Sequence, residues 1–150
     1  MQLVVVVIYV WHGKVYLPVQ AHFETGGFLA TERVHTAGLN AEELLSAVEK
    51  VLAAGHSTLP RPTREEMEQR KDPILAATKA RSWKELAHTG ASYVVGWTDK
   101  GVRIDMSRLD KKGRWEIDPE KVRILPPDTP LEDIIAVILE DIRSRPELWQ

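Results

Sequence analysis

Apolar residues in the first third of the chain follow the two-residue period of β-strands. The residues from Val4 to Ile8 are all β-branched, which predicts a buried strand. After a turn, Val15, Leu17 and Val19 alternate with Lys14, Tyr16 and Gln20, as in a strand with one buried face. A further, less regular strand is predicted before the period changes.

A helical period follows these strands. Asn40 and Glu43 form a start similar to a capping box, and Gly55 stands where a glycine commonly ends a helix. The helical spacing of the apolar residues defines the predicted buried face: Leu44, Leu45, Val48, Val51 and Leu52.

The last third of the chain repeats this order of periods. Val102, Ile104 and Met106 alternate with charged residues, and Trp115 and Ile117 do the same after a turn. A short apolar strand and a helix then follow. Thr129 is the predicted N-cap of that helix, with Pro130 in its first position. Its predicted buried face consists of Ile134, Ile135, Val137, Ile138 and Ile142.

The first and the last third of the chain are related by a similar offset: 87 residues separate Leu17 from Ile104 and Phe28 from Trp115, and 90 separate Leu44 from Ile134 in the helices. The pattern predicts one α+β domain over residues 1–150 that is internally duplicated, with strands followed by a helix twice. We expect two antiparallel sheets and two main helices. The predicted repeats span approximately residues 3–55 and 92–145, and a short helical linker spans residues 60–88.

Composition argues against several classes of protein. The chain has no cysteine, so disulfides, thiolate metal ligands and cysteine nucleophiles are excluded. The net charge is −2, and basic residues alternate with acidic ones, whereas nucleic-acid binding usually needs a basic stripe. The apolar run near the start is too short to cross a bilayer and lacks the features of a signal peptide. We therefore expect a cytoplasmic protein that does not contact a membrane.

No catalytic motif is recognisable in the sequence. The phosphate-binding, dinucleotide-binding, zinc-protease and nucleophile-elbow motifs are absent. The five histidines are scattered without the spacing of metal ligands. Adjacent carboxylates at residues 42–43 and 132–133 fall in the first turns of predicted helices, where they stabilise the helix dipole. We expect no catalytic residue, metal site or cofactor, although a small enzyme of unrecognised type stays open as an alternative.

Several segments occur in an order known from one protein family. Residues 77–86 (ATKARSWKEL) precede strand segments at 93–95 (YVV) and 101–104 (GVRI), and KVRILP at 121–126 precedes the last helix. This order resembles a family of immunity proteins from bacterial contact-dependent growth inhibition systems, over residues 77–145. The resemblance implies a shape similar to the Whirly fold, with two antiparallel sheets and two helices in tandem repeat.

The resemblance also implies that the chain neutralises a cognate toxin, often a nuclease, by masking the active site of the toxin without catalysis. A mildly acidic surface suits a basic protein partner. We therefore predict that outward-facing carboxylates contact the toxin, and that nucleic acid is not the partner. The predicted contact residues are Asp105, Asp110, Glu116 and Asp118. The oligomeric state stays open.

A Whirly-like protein that binds single-stranded nucleic acid is the alternative hypothesis. Such a protein would stack bases on Trp97 or Trp115. The net negative charge counts against this function, and both residues, like Trp83, are expected in the core. The basic residues that would hold phosphates lie in one turn: Lys111, Lys112 and Arg114.

Overall fold

The computed structural model describes residues 3–149 and confirms the α+β class. The strands are β1 (Val4–Trp11), β2 (Lys14–Phe23), β3 (Phe28–Gly38), β4 (Thr58–Leu59), β5 (Ala91–Thr98), β6 (Gly101–Leu109), β7 (Trp115–Ile117) and β8 (Arg123–Leu125). The helices are α1 (Ala41–Ala54), α2 (Arg64–Gln69), α3 (Pro73–Thr78), α4 (Trp83–Thr89) and α5 (Leu131–Arg143), followed by a 3₁₀ turn (Pro146–Leu148). Within residues 3–149, no helix is long and apolar enough to cross a membrane.

The strands form one sheet in the order β3-β2-β1-β5-β6-β7, which corrects the expectation of two sheets. β1 joins the halves because it pairs with β5, from Val4 opposite Trp97 to Val10 opposite Ala91. β8 pairs with the first residues of β6 and β7 with the last, while the short strand β4 runs parallel to β2. Local patterns identify hairpins between consecutive strands, but they do not reveal a pairing between strands separated by four helices.

Each half of the chain has its strands before its long helix. β1–β3 precede α1, and β5–β8 precede α5. The linker is helical as expected, since α2, α3 and α4 lie between residues 60 and 89. Element order alone does not establish a common origin of the halves, so internal duplication stays a prediction.

The two long helices pack on one face of the sheet and bury most of the core. The Asn40 side chain accepts the Glu43 backbone N–H at 2.9 Å, and Gly55 ends α1 with φ at 68°, as the sequence predicts. Each fully buried Val, Leu or Ile contributes about 1.5–3 kcal/mol. The sheet residues of this core include Val6, Ile8, Val10, Val15, Leu17, Tyr93, Val95, Val102 and Ile104.

The start of α5 differs from the prediction. No side chain caps this helix, and the Thr129 hydroxyl instead donates to the Pro126 carbonyl at 2.7 Å. The stability of α5 therefore comes from packing rather than from a cap. Its buried residues are Ile134, Ile135, Ile138, Leu139 and Ile142.

Asp141 connects α5 to the sheet beneath it. Its carboxylate accepts the Tyr93 hydroxyl at 2.6 Å and lies 2.7 Å from Lys121 Nζ and 3.6 Å from Arg145 Nη1. Burial raises the pKa of Asp141, but hydrogen bonds from Lys121 and Tyr93 and the two positive charges outweigh burial. The pKa of Asp141 therefore lies below its ordinary value. Burial also raises the pKa of Tyr93, which keeps its donating proton.

A smaller core lies on the opposite face of the sheet, under α3 and α4. Asp72 caps α3 by accepting the backbone N–H groups of Ile74 at 2.8 Å and Leu75 at 3.1 Å. Its second oxygen accepts the Trp83 indole N–H at 3.1 Å, which connects α3 to α4. The buried residues of this second core are Trp11, Tyr16, Ile74, Ala80 and Leu86.

His56 connects β1 to β2 at residues 5 and 20, outside the segment in which the two strands pair directly. Its Nε2 accepts the Val5 backbone N–H at 3.1 Å, and its Nδ1 lies 2.8 Å from the Gln20 carbonyl, to which it donates. Because Nε2 acts as an acceptor, the ring is neutral in this arrangement. The imidazole thus replaces a backbone hydrogen bond of the sheet.

Candidate protein-binding surface

The face of the sheet opposite α1 and α5 is covered over one half only. All side chains of β2 between residues 15 and 21 are buried, because the core under α1 and α5 covers one face of this strand and α3 lies on the other. On β5 and β6 burial alternates: Val95 and Ile104 are buried, whereas Val94 is half-buried and Arg103 is exposed. We call the uncovered surface of β5–β8 the open face. It is formed by Val94, Arg103, Asp105, Trp115, Ile117 and Ile124.

Strand register brings these side chains to one surface. Val94 lies opposite Asp105, and Arg103 lies opposite Ile124. Cross-strand partners point to the same face of a sheet. Ile117 on β7 extends this surface, since it lines a small pocket together with Val94 and Asp105.

Branched apolar side chains are unusually exposed on the open face. Ile124 is 69% exposed and Ile117 is 52% exposed, and Leu109 at the end of β6 is 43% exposed. Single exposed apolar residues are common on protein surfaces, but a group on one uncovered sheet face is typical of an interaction site. The open face therefore has the apolar component that protein interfaces require.

Trp115 of the open face forms a cluster with two other aromatic rings, those of Tyr9 and Trp83. The ring centroids of Tyr9, Trp83 and Trp115 lie 5.8 to 6.0 Å apart in each pair. Burial and the nearby charge of Asp72 raise the pKa of Tyr9 to about 12. Trp115 is partly buried in this cluster, and Trp97 packs on the core under the long helices. Trp83 is expected in the core from the sequence, but its side chain is 38% exposed. Base stacking on Trp97 or Trp115 would require these contacts to be broken.

Two of the predicted contact carboxylates lie on β6 and in the turn after it. Asp105 lies on the open face, and Arg103 Nε lies 2.8 Å from its Oδ1. Asp110 accepts the backbone N–H groups of Lys112 at 2.8 Å and Arg114 at 2.9 Å. The hydrogen bond from Arg114 is the main reason why the pKa of Asp110 lies below its ordinary value. Both carboxylates are therefore already engaged within the chain.

The other two predicted contact residues share one arginine. Arg108 Nε lies 3.4 Å from Glu116 Oε1, and Arg108 Nη1 lies 3.7 Å from Asp118 Oδ1. Glu116 is opposite Arg108 in the β6–β7 pair, so its side chain points away from Trp115 and Ile117. Only Asp105 of the four predicted carboxylates therefore belongs to the open face, and the others surround the β6–β7 hairpin. Their role as toxin contacts stays a prediction.

A cavity of about 450 Å³ adjoins the open face. It lies between α4, the β1–β2 turn and the β6–β7 hairpin, and Leu109 belongs to both the hairpin and the cavity wall. Trp11, His12, Lys84 and His88 line it as well. Within residues 3–149, no three His, Cys, Asp or Glu side chains form a group that could hold a metal ion.

Sequence reasoning missed the apolar residues of the open face. Ile117 and Ile124 lie in predicted strands, but their apolar character there predicts burial, and the structure leaves both exposed. The available signal was that the strands of the last third each carry apolar residues while only one long helix follows them. One helix covers one face of a sheet, so some of these residues had to remain outside the core.

No family model matches this sequence, and no curated protein matches it significantly. Several solved structures are similar in fold, including the following two. A protein of unknown function from Neisseria meningitidis has a TM-score of 0.65 and 16% identity, over 95% of this chain and 95% of that chain. A chain of the CdiA-CT/CdiI toxin and immunity complex from Yersinia pseudotuberculosis has a TM-score of 0.65 and 14% identity, over 97% of this chain and 98% of that chain. The protein thus has the fold of a chain found in a toxin and immunity complex.

Proposed function

We propose that this protein is an immunity protein that binds a bacterial toxin domain and blocks the active site of that domain, and that it is not an enzyme. The single observation that carries the proposal is the open face, where Ile117 is exposed beside Trp115 and Ile124 is exposed further along β6. The fold shared with a chain of a toxin and immunity complex supports the same function. We further propose that the toxin is a nuclease domain and that neutralisation takes place in the cytoplasm.

In this proposal, the open face supplies the apolar centre of the interface, and the carboxylates around it supply the polar rim. Asp105 lies within the open face, while Asp110, Glu116 and Asp118 surround the hairpin. Ion pairs at an interface rim contribute more to specificity and to the rate of association than to affinity. We expect the apolar centre to be more sensitive to substitution than any one carboxylate.

Single-stranded nucleic-acid binding is the alternative, but no specific observation favours it. The net charge is −2, and Trp115 contacts Tyr9 and Trp83 instead of presenting a free ring. Binding to this protein weaker than ~10⁻⁴ M on mixed-sequence single strands at low salt would eliminate the alternative.

The proposal is tested by growth rescue in a bacterial strain that expresses candidate toxin domains encoded beside the gene of this protein. We expect the wild-type chain to restore growth against one of these domains and the double variant Ile117→Glu/Ile124→Glu to fail. Met67→Glu is the matched control, because Met67 is 42% exposed on α2, away from the open face. Rescue by both variants would contradict the proposal. Failure of both the wild type and the control variant to restore growth would contradict it as well.

A further inference from the structure

We propose, on the basis of the function proposed above, that the cavity beside the open face binds an acidic side chain of the protein partner. The cavity measures about 450 Å³, which is within the range of sites that hold a ligand or an anchoring side chain. Because Leu109 borders the cavity and belongs to the β6–β7 hairpin, a partner segment that crosses the open face reaches the cavity directly.

The charges around the cavity favour an anion. Within residues 3–149, the side chains of His12, Lys84 and His88 take part in no ion pair or hydrogen bond. Glu85 also lines the cavity, but its Oε2 accepts the Arg81 backbone N–H at 3.3 Å. Lys84 and Glu85 cancel in formal charge, so an anion is favoured by the two imidazoles, which can donate hydrogen bonds, and by the lysines of the neighbouring turn.

The turn that supplies Gly113 to the cavity adds further positive charge. Lys111 and Lys112 lie in this turn, and neither side chain forms an ion pair in the described part of the chain. Asp110 pairs with Arg114 in the same turn, whereas Arg108, which points to the other face of the hairpin, is shared by Glu116 and Asp118. The unpaired charges in the turn beside the cavity are thus those of Lys111 and Lys112, which complement an acidic residue on the partner.

The cavity is held in shape before a partner binds. The Trp11 indole N–H donates to the Thr89 hydroxyl at 3.1 Å, and its ring lies 4.1 Å from that of His12. His12 adopts φ of 49° in the β1–β2 turn, and the adjacent Gly13 N–H donates to the Leu148 carbonyl at 2.8 Å. A preformed site loses little entropy on binding. Trp11 is only 9% exposed, so it forms a wall of the cavity but offers no free face for a nucleobase.

The test is a titration of the full chain, followed by ¹⁵N–¹H NMR, with the blocked dipeptide acetyl-Leu-Glu-amide and its neutral counterpart acetyl-Leu-Gln-amide. We expect saturable shifts of the Trp11 indole and of the His12 and Gly113 amides with the acidic peptide only. Lys84→Glu should weaken its binding about tenfold. Lys100→Glu is the matched control, because Lys100 is an exposed lysine in the turn at the other end of β6.

Equal binding of both peptides, no saturable shift at these residues, or displacement of the acidic peptide by a lower concentration of a single-stranded oligonucleotide would overturn the proposal. This titration needs no toxin, so its failure is separate from failure of the growth rescue. If the peptide does not bind while Ile117→Glu/Ile124→Glu still abolishes rescue, the cavity assignment falls and the immunity function stands.

Discussion

β2 and β6 belong to one sheet, but they are covered differently. β2 lies between the main core and the second core, where Leu17 points to the long helices and Tyr16 to α3 and α4. β6 has a core on one side only: Ile104 is buried under the long helices, whereas Arg103 and Asp105 face outward. The linker helices follow the first half of the chain and fold back over that half. The second half keeps one free face.

This difference shows how the same architecture separates stability from recognition. Where both faces are covered, a side chain mainly contributes to the free energy of unfolding. Where one face is free, an apolar side chain such as Ile124 contributes little to folding and remains available to a partner. Substitutions in the two halves should therefore affect different measurements.

The largest effect on stability is expected from the covered half. Leu86 is fully buried in the second core, so Leu86→Ala should lower the free energy of unfolding by about 2–5 kcal/mol in urea denaturation. Leu109→Ala, at an exposed leucine of the open half, should change it by less than about 0.5 kcal/mol. Equal losses in the two variants would remove the distinction between the halves.

The second largest effect on stability is expected in α5, the long helix that follows β8. Asp141→Asn should cost about 1.5–3 kcal/mol at pH 7, because Lys121 loses its counter-charge and the amide offers one acceptor oxygen where the carboxylate offers two, to Lys121 and to the Tyr93 hydroxyl. The pKa of Asp141 is lowered by folding, so its contribution is present above the pKa of the unfolded state, about 3.9, and is lost as pH falls through the lower folded value. Denaturation of variant and wild type from pH 7 to pH 2.5 checks this convergence. Glu140→Gln, at an exposed neighbour, is the control for removal of a carboxylate charge from the same helix.

A smaller effect is expected at the junction of α3 and α4. Asp72→Ala removes the cap of α3 and the acceptor of the Trp83 indole, and should cost about 0.5–2 kcal/mol. Because α3 packs on β2 and β3, and α4 reaches the second half at Trp115 on β7, hydrogen exchange should increase at β2 and β3 but not at β6. An equal increase along the whole sheet would mean that the linker helices do not act as a separate cover. Asp128→Ala in an exposed loop is the control.

The smallest effect on stability is expected on the open face itself. Ile117→Ser and Ile124→Ser should each change the free energy of unfolding by no more than about 0.5 kcal/mol, since both side chains are more than half exposed. Thermal denaturation of the single and double variants measures this. A loss as large as that of Leu86→Ala would mean that these side chains are part of a core.

The sequence predicts the individual elements well where a local signal exists. The strand predicted at Val15 and Leu17 and the cap at Asn40 are observed, but both faces of β2 are buried, whereas the alternation predicts one buried face. The Thr129 cap is not formed, because that hydroxyl donates to the Pro126 carbonyl instead. The pairing of β1 with β5 has no local signal, so the union of all strands in one sheet was not predictable from periodicity.

The candidate surface was predictable only in part. The sequence directs attention to the last third of the chain, where Asp105 does lie on the open face. The pattern predicts that an apolar residue such as Ile124 is buried, because periodicity defines a face but does not show whether another element covers that face. The cavity joins Trp11 to His88 and Gly113, which are distant in sequence, and only the folded chain brings them together.

Binding of the protein partner by the open face is tested most directly by hydrogen–deuterium exchange of this protein, alone and in complex with the toxin domain that it neutralises. The proposed function predicts new protection in β6–β8, within residues 101–125, and unchanged exchange in β3, within residues 28–38. Protection confined to β3 and the linker helices, with residues 101–125 unchanged, would contradict it.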